Sequence, residues 1–432
     1  MDKYHGASPL RGPPSEGPPV ALWLPKLMYV VATMANSGWG RYQTLYFNNK
    51  GISPSTIGLM RGLGLGTKSI SYPFWGLVAD WSGSLQIALI GSILASTFAL
   101  ELFRLDWTYS SLWHLLFVQI VRSASNSIWP LVDAFAMAVV ANSNSNEGYG
   151  QQRLWCAISW GLSALLLGYV IDQTSFNALF YFTYSMVIIE VLLVLCLIPR
   201  KTILAKSDNN NNNNKESISL TDTTNIKLFF TKKFITLSSI LLFYGIVMSI
   251  PESVLFIHLD SHLHMSKTEI GLSLGCSVLL EIPLFYTSQN LLATYGTSSL
   301  LYLSQGTTFL RLFLYQFISE ELKWTVYLIQ VLHGICFAGF WVGVVHLGQR
   351  IGPKGLNTTS HALVSAIYAT LAQAIGGVLM GWILEEFGFK LVLWTGMLLM
   401  GLVLFLTKSL MEMDEVMSDL GDLQIINPTQ QV

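Results

Sequence analysis

The sequence predicts an all-α membrane protein, with twelve transmembrane helices in two pseudo-symmetric six-helix bundles. Three observations carry that prediction. Of the 432 residues, 52% are hydrophobic and 11% charged, whereas a soluble domain carries about 25% charged residues. So few charges cannot coat a water-soluble body of this length, which excludes a large soluble enzyme. Apolar stretches of about 20 residues, enough to cross the hydrocarbon core as helix, recur along the chain. Between the sixth and seventh of them lies a polar tract containing the homopolymer Asn209 to Asn214, too poor in apolar side chains to order itself.

Residues 1–21 are polar and Pro-rich and read as a disordered N-terminal tail without a cleavable signal peptide. The first bundle, 22–198, takes its spans at 22–46, 54–79, 84–104, 110–140, 152–172 and 176–198. The linker is 199–233, and the second bundle, 234–410, has spans at 234–257, 268–290, 298–318, 324–347, 358–384 and 389–409. Residues 411–432 form a C-terminal tail. Short polar breaks punctuate the pattern, among them Asn48 to Gly51, Asp80 to Gly83, Ser143 to Gly148 and Arg350 to Gly355. With the N-terminus cytosolic, 13 Lys and Arg fall on the inner side, seven of them in the linker, and 5 on the outer side. Both termini and the linker are therefore expected in the cytosol. The four cysteines (Cys156, Cys196, Cys276 and Cys336) lie inside apolar spans without paired spacing and read as small buried residues, not as a disulfide or zinc framework.

The remaining six basic residues, Arg41, Arg61, Lys68, Arg122, Arg153 and Arg311, fall within the spans away from either side's count. A charge in the bilayer costs about 2.5–3.5 kcal/mol on insertion scales and normally faces a cavity or a partner. In the fourth span Arg122, Asn126, Trp129 and Asp133 share one helical stripe, and in the fifth Arg153, Ala157 and Trp160 share another. A carboxylate and a guanidinium facing each other across a wet cavity can accept from and donate to vicinal hydroxyls. An indole beside them offers a flat face to the C–H side of a sugar ring. Arg153 and Trp160 are thus expected to form half of a polyol site.

Two six-span halves with cytosolic ends and tether resemble the major facilitator superfamily, whose substrate site lies between the halves. YPFWGLVADWSGS, Tyr72 to Ser84, is similar to that superfamily's cytosolic signature through Pro73, Gly76, Asp80 and Gly83. The resemblance implies a gating latch at Gly76 and Asp80, although Trp81 and Ser84-Leu85-Gln86 stand where basic residues are usual. Within the superfamily the chain resembles the lactose-permease-like branch of oligosaccharide:proton symporters. Asn126, Pro130, Asp133, Ala134 and Phe135 meet its span-four pattern with Asp in place of Glu. Arg153 and Trp160 meet its span-five pattern, with Ser159 in place of Gly. The resemblance implies sugar binding by Asp133, Arg153 and Trp160, with Arg122 and Asn126 extending the site. Coupling or gating would fall to Glu281, Arg311, His333 and Glu252, while Val278, Gln330, Cys336 and Ala369 stand where the branch has charged residues.

Other motifs have plainer readings. RGLGLGTKS, Arg61 to Ser69, lacks the Gly-Lys of a phosphate loop, and no strand precedes it. Its glycines suit close helix packing, and Arg61 and Lys68 either line a pore or reach an interface. The histidines of HLDSHLH, His258 to His264, read as an outer-loop polar cluster, not a metal site. No nucleophile–base pair, cofactor motif or nucleic-acid signature is visible, so an enzyme is not expected. The expected function is secondary transport of a small polar solute, a saccharide in the first reading, by alternating access in a lipid bilayer, with either proton symport or facilitated diffusion. The alternatives are a non-transporting receptor or scaffold on a transporter fold, and a facilitator of nucleosides or amphipathic drugs.

Overall fold

The structure, a computed structural model, describes residues 21–141, 143, 149–198, 229–353, 360 and 363–426. Outside these lie the expected N-terminal tail up to residue 20, the linker over 199–228 with its Asn209–Asn214 run, and Lys3, Arg11 and Lys354 of the orientation argument. Every regular element among the described residues is helical. Eight of the helices are long and apolar enough to cross a membrane, which makes the chain an integral, multi-pass membrane protein. The expected spans 22–46, 54–79, 110–140 and 298–318 are not among those eight; polar residues or a helix break dilute each of them.

Helix α1 covers Trp23–Asn49 and α2 Pro54–Ser82. Ser53 caps α2 by accepting from the Thr56 amide at 3.4 Å, Pro54 sits in the first turn, and Gly83 ends the helix at φ 61°. This is the polar-cap, early-Pro, late-Gly order that helix ends favour. Helix α3, Leu85–Glu101, starts on a Ser84 cap.

The span expected at 110–140 is two helices, α4 Leu112–Ser125 and α5 Ile128–Ala141. Pro130 explains the break: it has no N–H for the carbonyl four residues back and its ring crowds that turn. Asn126 is extended at φ −95° and ψ 97°. Side chains of α2 and α3 serve several of the backbone groups around the break. Ser71 Oγ and Trp75 Nε1 donate to the Ala124 carbonyl, the latter at 3.1 Å. Ser92 Oγ donates to the Ser125 carbonyl at 2.7 Å and accepts from the Ser127 amide at 2.9 Å. Irregular backbone inside a membrane protein persists where protein groups satisfy it in this way.

Helices α6 Tyr149–Gln173 and α7 Asn177–Leu197 complete the first half, and α1 packs against both. Beyond residue 228, α8 Lys232–Ser249 passes through a π-turn, Ile250–Val254, into α9 Leu255–Ser261. Pro251, again lacking a donor, accounts for the widened turn. Helix α10, Lys267–Ser277, opens on a capping box between Ser266 and Glu269 and leads through a turn to α11, Glu281–Tyr286. Helix α12, Ser288–Tyr315, kinks at Gly296 (φ 74°). The expected tenth span comprises α13 Thr325–Val331, a π-turn Ile335–Gly339 and α14 Phe340–Ile351. A π-turn at Ala366–Ala372 then leads into α15, Gln373–Phe387. Helix α16 runs from Phe389 to Ile426, through the start of the expected C-terminal tail.

One end of the molecule is sealed. The Asp172 carboxylate at the end of α6 accepts from the amides of Lys267 (2.9 Å) and Thr268 (2.6 Å) and from the Thr268 hydroxyl (2.6 Å). Asn48 donates to Asp260 and Ser261, the Ser55 amide to Glu385, and Tyr42 Oη to the Ala164 carbonyl at 2.5 Å. Glycines let the backbones meet: a Cβ on Gly168 would stand 2.2 Å from the Lys267 carbonyl oxygen, and one on Gly58 2.1 Å from that of Gly377. At the far end of α2 the structure is open. Asp80 is exposed, and a Cβ at Gly76 would meet nothing within 4 Å.

Candidate functional site

A cavity of about 240 Å³ lies between α1, α2, the α4–α5 break and α6. The break presents the Asn126 amide to α1, where it donates to Asn36 Oδ1 at 2.8 Å. The Pro251 π-turn brings Glu252 to the opposite wall, where its carboxylate lies 3.6 Å from Arg61 NH2 and its carbonyl accepts from Arg61 NH1 at 2.9 Å. Both departures from regular helix thus supply the cavity with polar groups, as discontinuous helices do in transporters.

Trp129 of α5 and Trp160 of α6 both line the cavity, with ring centroids 6.4 Å apart. The Arg41 guanidinium lies over the Trp160 ring at 4.9 Å, a cation–π contact. Trp160 Nε1 is buried and finds no acceptor among the described residues. Gly40 makes room for the indole: a Cβ there would stand 3.3 Å from the Trp160 ring edge.

One turn along α5 from Trp129, and two turns along α6 from Trp160, Asp133 and Arg153 approach each other at 3.9 Å. Tyr29 of α1 donates to the other Asp133 oxygen at 2.6 Å. Arg153 is more than half exposed, and Glu281 of α11 lies within electrostatic reach of it, of Arg41 and of Glu252. Arg153 therefore stands between α5 and the second half of the chain.

Of the residues singled out from the sequence, Arg122, Asn126, Trp160 and Glu252 line the cavity, and Asp133 and Arg153 form the neighbouring pair. Arg311 and His333 form a separate centre. The buried Arg311 donates to His333 Nδ1 at 3.0 Å and to Gln330 Oε1, and it lies 5.5 Å from the Tyr315 ring centroid. Accepting at Nδ1 makes that imidazole neutral. Among the described residues Asp80 pairs with no cation. Arg41 belongs to none of the motifs read from the sequence. It lines the cavity with Arg61, Lys68 and Arg122, and the signal available for it was the charge inside an apolar span.

A family model described as the MFS_1 like family matches residues 22–395. The maltose permease of Geobacillus stearothermophilus is 23% identical over 338 residues, covering 78% of this chain and 80% of that protein. The uncharacterized transporter YwbF of Bacillus subtilis (strain 168) is 23% identical over 319 residues, covering 73% and 74%. Among solved structures, the nucleoside transporter NupG superimposes with a TM-score of 0.71 at 16% identity, covering 91% of this chain and 98% of that one. A bacterial homologue of the iron transporter ferroportin, in an inward-facing state, gives 0.64 at 15% identity, covering 90% and 98%. At such identities these two structures speak to fold alone.

Proposed function

The chain belongs to the MFS_1-like family, and from that premise we propose that the small solute it moves is a saccharide. Membership makes it a secondary transporter, not an enzyme. Its spans are twelve, six in each of two bundles (22–198 and 234–410), and both termini and the linker face the cytosol. The sealed end is then outward and the open end of α2 inward, so the conformation is inward-open. Rocking of the two halves around the cavity alternates its access.

The observation that carries the reading is the meeting of Asp133, Arg153 and the Trp129–Trp160 pair beside a polar cavity. Hydroxyls have both acceptor and donor there. Asp133 keeps lone pairs after accepting from Tyr29, the Arg153 guanidinium beside it is more than half exposed, and the unsatisfied Trp160 N–H seeks an acceptor. Arg122 and Asn126 extend the polar wall. The likeness to a maltose permease supports the same class of solute.

Proton symport, in this reading, uses Glu281. It forms no ion pair or hydrogen bond among the described residues, yet it feels Arg41 and Arg153 across the opening. Glu252, held by Arg61, and the Arg311–His333 centre act as gating elements, and Asp80 and Gly76 form the inner latch when the open end closes.

The test is a ligand-stability screen of purified protein with saccharides, nucleosides, amino acids and polyols. Saccharides should raise the melting temperature of the wild type. In Arg153→Lys their affinity should fall about ten- to a hundredfold, because a point charge cannot replace the planar fork. Stabilisation by another class alone, or full affinity in the variant, rejects this assignment.

A further inference from the structure

Resting on the cavity as the solute site, we infer that the saccharide it takes carries an oxyanion: a phosphate, sulfate or carboxylate. Four cations, Arg41, Arg61, Lys68 and Arg122, line the cavity against one carboxylate, Glu252. Arg61 is matched by Glu252. Among the described residues no carboxylate forms an ion pair with Arg41, Lys68 or Arg122. Arg122 is 6% exposed, and the Nε donors of both Arg41 and Arg122 are buried without an acceptor. Stacking on Trp160 occupies the face of the Arg41 guanidinium and leaves its N–H edge unserved.

The carboxylates nearby do not balance this charge. Asp133 is engaged by Tyr29 and Arg153. Glu281 shares Arg41 with Glu252, feels Arg153 as well, and pairs with none of them at contact distance. Three cations thus converge from α1, α2 and α4 on one partly enclosed space, where their mutual repulsion is weakly screened. A neutral sugar, however well hydrogen-bonded, displaces water from these cations and returns no charge. An oxyanion answers all three, with guanidiniums donating in forked pairs and Lys68 as a point charge. Gln119, Ser123 and Asn126 on the same wall remain for the sugar hydroxyls.

Equilibrium binding to the purified full-length protein, with glucose 6-phosphate, methyl glucuronide, methyl glucoside and glycerol 3-phosphate as probes, tests the inference. At least one anionic sugar should bind about tenfold or more tightly than methyl glucoside, with an advantage that shrinks as salt rises. Arg122→Gln should abolish that advantage without lowering the melting temperature, since it removes an unpaired buried charge. Lys68→Gln, at a more accessible position, gives the same readout should Arg122→Gln fail to fold. Equal or tighter binding of methyl glucoside, or no binding of either anionic sugar at millimolar concentration, overturns the inference. Glycerol 3-phosphate binding as tightly as glucose 6-phosphate upholds the anion site while rejecting the saccharide reading beneath it.

Discussion

Arg311 shows how one cation can organise a membrane interior. It is 1% exposed and has no carboxylate partner among the described residues. It spends its fork on Gln330 and His333 and leaves Nε without an acceptor. Removing one of those acceptors strands a buried charge-bearing donor, so Gln330→Leu should lower stability by about 1–3 kcal/mol. A thermal melt of the variant checks this, and an unchanged midpoint would mean that Arg311 is held by other groups. Individual roles were unevenly legible at this scale. Spacing on a helix puts Arg122, Asn126, Trp129 and Asp133 on one stripe, and three of those four line the cavity. Arg41 carried the same signal of a charge in an apolar span, with Ser37, Thr44 and Asn48 on its stripe. Its position over Trp160 depends on how α1 meets α6, which periodicity within one helix does not encode.

At the scale of elements, breaks and glycines do the positioning. Apolar runs on both sides of Arg122 to Ser127 read as one span over 110–140, although that polar stretch and Pro130 were the local signs of the break. The same holds for Pro251 and the π-turn that turns Glu252 toward Arg61. The sealed end rests on α6 lying flush against α10, with a Cβ at Gly168 2.2 Å from the Lys267 carbonyl oxygen and 2.5 Å from Tyr42 Oη. Gly168→Val therefore cannot form this face and should hold the molecule open at that end. In a background with the four native cysteines replaced by serine, Gln43→Cys, on the cavity wall, should react with an impermeant maleimide added from the Gly168 side. It should do so only when Gly168→Val is also present. Equal labelling with and without Gly168→Val would show that this contact does not set the seal.

For the whole molecule, the membrane class was legible from composition, since 11% charge cannot cover a soluble body. The number of spans was harder to read: among the described residues eight helices are long and apolar enough to cross a membrane, and α1, α2 and the broken α4–α5 pair, which line the cavity, are not among them. The functional residues themselves erode the signal. If twelve spans place both termini and the linker in the cytosol, epitope tags at residues 1, 210 and 432 should all be protected from protease in sealed right-side-out vesicles. Cleavage of one tag alone would require an odd number of spans between it and the others, and cleavage of all three would invert the orientation. Alternating access around the cavity is the claim on which the other assignments depend. Its most direct measurement is uptake of labelled neutral and anionic saccharides into proteoliposomes, with and without an inward-directed proton gradient. Saturable accumulation of at least one saccharide is expected, driven by the gradient and lost in Arg153→Lys. Absence of saturable flux for every saccharide, or undiminished flux in that variant, would contradict it.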